Sequence, residues 1–308
     1  MASGWPLCLE IQHNPKVEVM RKCFCSVFFI GLLLMVTSAS AQTVTVYNSI
    51  PKPLPGNVAS EGPEAYAFAE LGDGLGLLAS GGGTFGQITV VMSSWPCETG
   101  NWTGLPLCTT TPGATFVQPI TVKLYSVGQG LTGPVPVSLL GSITQTFNIP
   151  YRPSSTPSLC GGDAQRWYNS KDQTCYHGLA AAITVNFSNQ HIMVPANNKA
   201  IVTVAYNTSH YGPSPIGNTA CNLTSAGCPY DSLNISTDGS TNFTGAVSAP
   251  LDPNSIFVNY TLPNLACSPS TVVTGFLALD VGCWTGYHPQ IQVQVNTNGK
   301  PNKKGSAP

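Results

Sequence analysis

Regular alternation of apolar and polar side chains along short segments restricts the fold of this chain more than any other feature. Residues 120–124, 183–187 and 291–295 each place an apolar side chain at every second position, with Thr, Asn, Gln or Lys between. A period of two is typical of strands that bury one face and wet the other. No segment of a dozen residues combines a 3.6-residue period with helix caps, so the sequence predicts little helix.

The remaining strand candidates and the turns between them predict the fold class. Further candidates lie at residues 43–47, 65–71, 87–93, 139–149, 200–207, 255–260 and 271–279, and clusters rich in Gly, Asn, Asp or Pro separate them. Alternation of this kind favours antiparallel sheets. We therefore expect an all-β, antiparallel two-sheet sandwich of jelly-roll or immunoglobulin-like type. A closed barrel is the second architecture the pattern allows, and strand order stays open.

Residues 1–41 predict an N-terminal extension followed by a signal peptide. The basic segment Met20-Arg21-Lys22 precedes an apolar run at residues 23–36, and small residues precede Gln42. Cleavage near Ala41 would make the protein secreted, either extracellular or periplasmic. The apolar run is too short to span a membrane as a stable helix, so no stable membrane insertion is expected after cleavage. An uncleaved signal anchor is the alternative, and translation from Met20 would explain the unusual first 19 residues.

Beyond the leader, the chain divides into one domain and a tail. We expect a single β-sandwich domain at residues 42–297 and a disordered polar tail at residues 298–308. Eight of the eleven cysteines lie after the leader, and they fall along the chain as four local couples. An even number in an exported chain indicates disulfides. The expected pairs are Cys97 with Cys108, Cys160 with Cys175, Cys221 with Cys228, and Cys267 with Cys283.

Low charge excludes some partners and cofactors. Charged residues form 8% of the chain and the net charge is −1, so no basic surface is available to bind nucleic acid. No CxxC or HxxxH spacing occurs, which disfavours zinc. No cofactor is therefore expected, with the exception of a weak calcium hypothesis at Asp238 and Asp252, where ordinary turn chemistry explains the same residues.

Polar and aromatic residues near predicted strand ends form the candidate ligand-binding set. Aromatic rings can stack on sugars while amide, imidazole and carboxyl groups bond to their hydroxyls, although the tryptophans could equally shield disulfides or cap the core. The set is Trp95, Arg152, Tyr206, Asn207, His210, Tyr211, Asp231, Trp284 and Tyr287. It favours a non-enzymatic protein of the cell envelope or extracellular space that binds a glycan or matrix or acts in adhesion.

A secreted hydrolase is the alternative function. His210 oriented by Asp231 could transfer protons. A carboxylate pair could also act, and Glu70, Asp73 and Asp280 are the best placed acids for that chemistry. No GxSxG motif supplies a nucleophile, so the sequence favours the non-enzymatic reading.

Several phrases resemble a group of uncharacterised secreted bacterial proteins. They include MSSW at 92–95, NIPYRP at 148–153, YNTSHYG at 206–212, YDSLN at 230–234 and GCWTGY at 282–287. The resemblance spans nearly the whole predicted mature chain and implies an extracellular β-sandwich-like domain. It implies no activity and transfers no catalytic residue. Some members of the group end in a sorting segment, whereas this chain has only a polar tail after Val295, so release is expected rather than surface retention.

Overall fold

The computed structural model describes residues 42–78, 82–100, 106–131, 133–206, 233–237, 250–262, 266–267 and 273–297. Strands dominate these ranges and confirm the predicted all-β class with little helix. The strands are β1 (Gln42–Asn48), β2 (Ser60–Glu61), β3 (Phe68–Gly76), β4 (Thr84–Ser94), β5 (Thr115–Gln129), β6 (Pro134–Pro150), β7 (Trp167–Asn169), β8 (Thr174–Tyr176), β9 (Leu179–Asn186), β10 (Lys199–Ala205), β11 (Leu233–Ser236), β12 (Ser255–Tyr260), β13 (Ala278–Val281) and β14 (Ile291–Thr297). A helical turn, α1 (Pro63–Tyr66), and a 3-10 turn at Ser188–Gln190 accompany them.

Two antiparallel sheets contain most of these strands. Sheet A runs β1-β14-β4-β11-β2, and β9 also pairs with β4. β14 and β11 pair with successive parts of β4, and β9 pairs with residues of both parts. β9 therefore lies along the opposite edge of β4 from those two strands. Sheet B runs β13-β12-β3-β10-β5-β6, and β7 and β8 form a separate hairpin.

Nested strand pairing identifies the sandwich as a jelly roll. β1 pairs with β14, β3 with β10, β4 with β9, and β5 with β6, so each pair encloses the next along the chain. Successive pairs alternate between sheet A and sheet B. This is the topology of one long hairpin wound into two facing sheets, and it distinguishes the jelly roll from the immunoglobulin-like alternative.

One apolar core lies between the sheets. Val90 of β4 and Val293 of β14 contribute to it from sheet A, and Val122 of β5 and Val202 of β10 contribute from sheet B. All four side chains are fully buried. Burial of a valine or larger apolar side chain contributes about 1.5–3 kcal/mol. The apolar positions of the alternation in the sequence lie on the inward faces of both sheets.

Two predicted strands were wrong in part. Residues 65–71 begin in α1 rather than in a strand, because Pro63 stands in the first helical turn after an extended Gly62. Ala67 then adopts a φ of 48°, which ends the helical turn before β3 starts. In the predicted strand 271–279, Gly275 has a φ of 81°, which interrupts extended backbone, and β13 starts only at Ala278.

Glu70 is a buried carboxylate on the face of sheet B that points away from the core. Its neighbour Leu71 points into the core, so Glu70 points outward. It accepts hydrogen bonds from Lys123 Nζ at 2.6 Å, from Tyr125 Oη at 2.9 Å and from Thr203 Oγ1. The charge is thus paired and hydrogen-bonded, as burial requires.

Three disulfides brace the loops. They join Cys97 to Cys108, Cys160 to Cys175, and Cys267 to Cys283, as the sequential pairing predicts, whereas Cys221 and Cys228 lie outside the described residues. Disulfides fit an oxidising, extracellular type of environment. Within the ranges given above, no helix is long and apolar enough to cross a membrane.

Candidate functional site

Part of the predicted site lies outside the described residues: Asn207, His210, Tyr211 and Asp231, together with Asp238 of the calcium hypothesis. Tyr206 is the last residue described before them. It is half-buried, and its hydroxyl donates a 2.8 Å hydrogen bond to the carbonyl of Leu233. Tyr206 therefore ties the end of β10 in sheet B to the start of β11 in sheet A.

Arg152 is fully buried and holds two loops together. Its backbone N–H donates to the carbonyl of Pro96 at 3.0 Å. Its guanidinium donates through Nη1 to the carbonyl of Gln165 at 2.8 Å and through Nη2 to Ser155 Oγ at 3.3 Å. The fork geometry of the guanidinium lets one side chain bond several acceptors at once. The group points into the protein and fastens the segment that follows β6.

Trp95 follows β4 and stacks on His177. The two rings are nearly parallel, with centroids 5.6 Å apart. Trp95 Nε1 donates to Ser93 Oγ at 2.9 Å, and that hydroxyl donates to Asn57 Oδ1 at 2.6 Å. Gly178 allows this close arrangement, because a Cβ there would lie 2.7 Å from Ser93 Oγ and 2.9 Å from Trp95 Nε1.

His177 is held in its neutral form. Arg166 Nε donates to His177 Nε2 at 3.1 Å, so this ring nitrogen is an acceptor. Burial first, and then the positive charge of Arg166, lower the pKa of His177. The positive charge of Arg152 lowers the pKa of His177 as well. We call Trp95, Arg152, His177 and Gly178 the arginine–tryptophan cluster.

Trp284 is buried, and it donates to Asp280, a carboxylate that accepts three hydrogen bonds. Asp280 Oδ2 accepts from Trp284 Nε1 at 2.9 Å, from Tyr260 Oη at 2.7 Å and from the backbone N–H of Cys267 at 3.1 Å. Asp280 itself has no solvent exposure. This arrangement fixes the loop that the disulfide between Cys267 and Cys283 closes.

Asp73 and His288 form a second buried pair. Asp73 Oδ2 lies 2.9 Å from His288 Nδ1, and His288 Nε2 lies 3.0 Å from the carbonyl of Pro253. A carbonyl only accepts, so Nε2 carries a proton, and one further proton lies between Nδ1 and the carboxyl. Burial raises the pKa of Asp73. Both side chains are about 1% exposed, so a substrate in solution does not reach them in this conformation.

Asp252 has a local turn role. Its Oδ1 accepts a 2.9 Å hydrogen bond from the backbone N–H of Asn254. Aspartate commonly bonds to its own backbone two residues on, which is the turn chemistry considered at the sequence level. Within the described ranges, no three His, Cys, Asp or Glu side chains come together in a group that could hold a metal ion.

Tyr287 belongs to a group of three residues from three parts of the chain. Glu61 ends β2, Tyr66 ends α1, and Tyr287 lies in the loop before β14. The Tyr66 hydroxyl donates a hydrogen bond to the Glu61 carboxyl, and Tyr287 lies near enough to Tyr66 to act on its ionisation. Tyr66 is 40% exposed and Tyr287 is 48% exposed. We call these three residues the tyrosine–glutamate cluster.

The carboxyl of this cluster is only partly satisfied. Burial raises the pKa of Glu61 to about 7. Its Oε2 atom is buried and has no hydrogen-bond partner among the described residues. Burial first, and then the charge of Glu61, raise the pKa of Tyr66 to about 12. An unsatisfied buried acceptor costs about 1–3 kcal/mol, so this oxygen lowers the stability of the folded protein.

Tyr260 and Asp280 form a firmly hydrogen-bonded support beside the tyrosine–glutamate cluster. Tyr260 interacts electrostatically with both Glu61 and Tyr66, and its hydroxyl is held by Asp280. This support is therefore fixed, while the side chains of Tyr66 and Tyr287 remain accessible to solvent. Chemically, the cluster offers two aromatic side chains for stacking and one carboxyl that accepts or, when protonated, donates hydrogen bonds.

Sequence reasoning selected Tyr287 but not Glu61 or Tyr66. Glu61 is not among the acids that the sequence singles out, and Tyr66 falls inside the predicted strand 65–71. The Gly62-Pro63 pair signals a helical start and is the one local clue that Tyr66 ends a turn. The meeting of residues 61 and 66 with Tyr287 depends on the winding of the sandwich, which no local pattern encodes.

Comparisons with known proteins give no match for this chain. No protein-family model matches the chain. Neither a characterised protein nor a solved structure gives a significant match.

Proposed function

We propose that this protein is an exported, non-enzymatic β-sandwich protein of the cell envelope or extracellular space that binds a glycan through the tyrosine–glutamate cluster. The observation that carries the proposal is the grouping of two exposed tyrosines, Tyr66 and Tyr287, with the half-buried carboxyl of Glu61.

Sugar chemistry matches what this cluster offers. A pyranose presents an apolar face of C–H groups, which stacks on an aromatic ring, and a rim of hydroxyls, which donate and accept hydrogen bonds. Glu61, half-buried beside Tyr66, supplies a carboxyl group that can bond to sugar hydroxyls. Ligand sites generally combine apolar or aromatic walls with a few fixed polar groups of this kind.

The surroundings of the other acids support a role without catalysis. Glu70, Asp73 and Asp280, the acids considered for a hydrolase, are each at most 3% exposed. Each is bonded to its own set of partners: Glu70 to Lys123, Asp73 to His288, and Asp280 to Tyr260 and Trp284. Carboxylates engaged in this way stabilise the fold.

A glycan array followed by calorimetry tests the binding proposal. We expect the purified protein to bind at least one polysaccharide class, and Tyr287→Ala to weaken that binding by about tenfold or more, because hot-spot aromatics commonly contribute this much. Tyr66→Ala should have a similar effect. Tyr287→Phe separates stacking from hydrogen bonding, since it keeps the ring and removes the hydroxyl.

Leu159→Ala is the control, because Leu159 is 60% exposed and lies immediately before Cys160, in a different part of the chain. This variant should bind as the wild type does. Silence across all polysaccharides, or binding that survives both tyrosine-to-alanine changes, would contradict the proposal.

Export has its own test. N-terminal sequencing of protein recovered outside the cytoplasm should give a chain that begins near Gln42. Recovery of residues 23–36 in that chain would support the uncleaved signal anchor instead.

A further inference from the structure

β6 is the edge strand of sheet B, and part of its outer backbone edge is free. The strand runs for 17 residues and pairs on its inner side with β5. In the described part of the chain, no strand pairs with its other side. The side chains of Thr144, Thr146 and Asn148 are all exposed. An edge of this kind is a template on which another strand can pair.

The direction of the backbone groups follows from two hydrogen bonds. Gln190 Nε2 donates to the carbonyl of Ser142 at 2.9 Å, so the carbonyl of Ser142 points away from β5. Backbone groups along an antiparallel strand alternate between the two edges with a period of two. The N–H and C=O groups of Thr144, Thr146 and Asn148 therefore also point outward. Ser94 Oγ donates to the carbonyl of Pro150 at 2.5 Å, which agrees with the same alternation.

These same two bonds bound the free edge symmetrically. At one end Gln190 occupies the carbonyl of Ser142, and at the other Pro150 lacks an N–H and its carbonyl is occupied by Ser94. Thr146 lies midway between the two closed positions. A two-fold axis through Thr146 would place Ser142 of one copy opposite Pro150 of the other. The free backbone groups between these two residues would then face the same groups of the second copy.

Composition of the strand also fits self-pairing. From Pro134 to Pro150 there is no Asp, Glu, Lys, Arg or His. Edge strands commonly carry charged residues that prevent association, and this strand has none. Two copies of it can lie side by side without like charges facing each other.

We propose that the protein pairs with a second copy of itself through the outer edge of β6, in antiparallel orientation, with Thr146 of each copy on the two-fold axis. Thr144 of one copy then lies opposite Asn148 of the other. The three facing pairs exchange about six backbone hydrogen bonds. This joins the two copies of sheet B into one continuous sheet, in an isologous dimer.

A contact of one short strand per copy buries little surface, so the dimer is weak and concentration-dependent. Sedimentation velocity from micromolar to millimolar protein should show a shift from monomer to dimer. Hydrogen exchange over the same range should show protection that grows with concentration at the amides of Thr144, Thr146 and Asn148. A protein that stays monomeric throughout, or a dimer that protects other amides instead, overturns the proposal.

Two variants and one control separate this interface from a general effect on folding. Thr146→Pro removes an outward N–H and leaves the ladder to β5 intact, and edge strands tolerate such a proline. Thr146→Lys places two like charges at the axis. Each should reduce the association constant by roughly tenfold or more, because backbone bonds are lost or repulsion is added at the centre of the contact.

Thr184→Lys is the matched control. Thr184 is an exposed threonine on β9, and its hydroxyl lies 2.8 Å from that of Thr89, just as the hydroxyl of Thr144 lies 2.8 Å from that of Thr121. This variant adds the same charge to the other sheet and should dimerise as the wild type does. Dimerisation that persists in both Thr146 variants also overturns the proposal.

Discussion

The arginine–tryptophan cluster and the tyrosine–glutamate cluster contain similar kinds of residue in opposite states of satisfaction. In the first, the polar side chains bond to one another and to their surroundings: Arg152 to Gln165 and Ser155, Trp95 to Ser93, and His177 Nε2 to Arg166. In the second, Glu61 keeps a buried oxygen without a partner in the described structure, and two tyrosines are open to solvent.

This difference separates stabilisation from binding. A buried polar network that is complete rigidifies its surroundings, and disturbing it costs folding free energy. A group that is rigidly supported but incomplete can gain from a ligand. Residue type alone would have assigned both clusters to the same role, since each combines aromatic rings with a titratable group.

Arg152→Ala should produce the largest effect. It removes the guanidinium from the carbonyl of Gln165 and leaves a void in a buried position, so we expect a loss of about 3 kcal/mol in the free energy of unfolding. Urea denaturation measures it. Lys171→Ala is the control, because Lys171 is exposed, and a surface substitution of this kind changes stability by about 0.5 kcal/mol or less. Equal losses in the two variants would remove the distinction between the clusters.

Glu61→Gln should change the pH dependence of stability. The pKa of Glu61 is raised from 4.5 to about 7 in the folded protein, so the folded state holds a proton that the unfolded state releases. Stability contributed by this group is therefore present below about pH 4.5, falls as the pH rises toward 7, and stays low above it.

In the Gln variant this fall should disappear, and stability at pH 8 should rise by about 2 kcal/mol relative to the wild type. Thermal or urea unfolding at a series of pH values measures both quantities. Parallel curves for wild type and variant would show that Glu61 ionises normally in the folded protein.

Gly178→Ala should destabilise the arginine–tryptophan cluster by about 1–2 kcal/mol. The added Cβ would lie within 3 Å of Ser93 Oγ and Trp95 Nε1, so the hydrogen bond between them must shift. Trp95 fluorescence should change along with the unfolding midpoint. Gly162→Ala gives a comparison in open space, where the strain comes from its positive φ alone.

Tyr287→Phe should have the smallest effect on folding, within about 0.5 kcal/mol, because its side chain is half exposed. Its influence should appear in ligand affinity instead. Differential scanning calorimetry without ligand checks the first half of this expectation. A large loss of stability would place Tyr287 with the structural residues.

Strands with strict alternation were predictable from the sequence, and those shaped by tertiary contact were not. β12 covers residues 255–260 as expected, and β14 contains the predicted segment 291–295. β11 was missed because all four of its residues are buried, including Asn234, whose amide bonds to Ser60 Oγ. A polar residue buried by a tertiary hydrogen bond has the same appearance in sequence as one in a loop.

The candidate site was less predictable than the fold. Trp95, Arg152 and Trp284 were selected by residue type, and the structure places Arg152 and Trp284 in buried hydrogen-bond networks. Their burial depends on partners contributed by other strands and loops. The pKa values of His177 and Glu61 are altered mainly by burial in the folded protein, so no short sequence pattern marks these residues.

The position of β14 determines when this molecule can fold. β14 is the last described strand in the sequence, yet it lies inside sheet A, between β1 and β4. Gln42 of β1 pairs with Thr297 of β14, and the Thr297 hydroxyl bonds to the carbonyl of Gln42. Such high contact order slows folding, and a ribosome-bound chain lacking β14 leaves the backbone of β1 without its partner. Sheet A therefore closes only after the ribosome has added Thr297, near the end of the described chain.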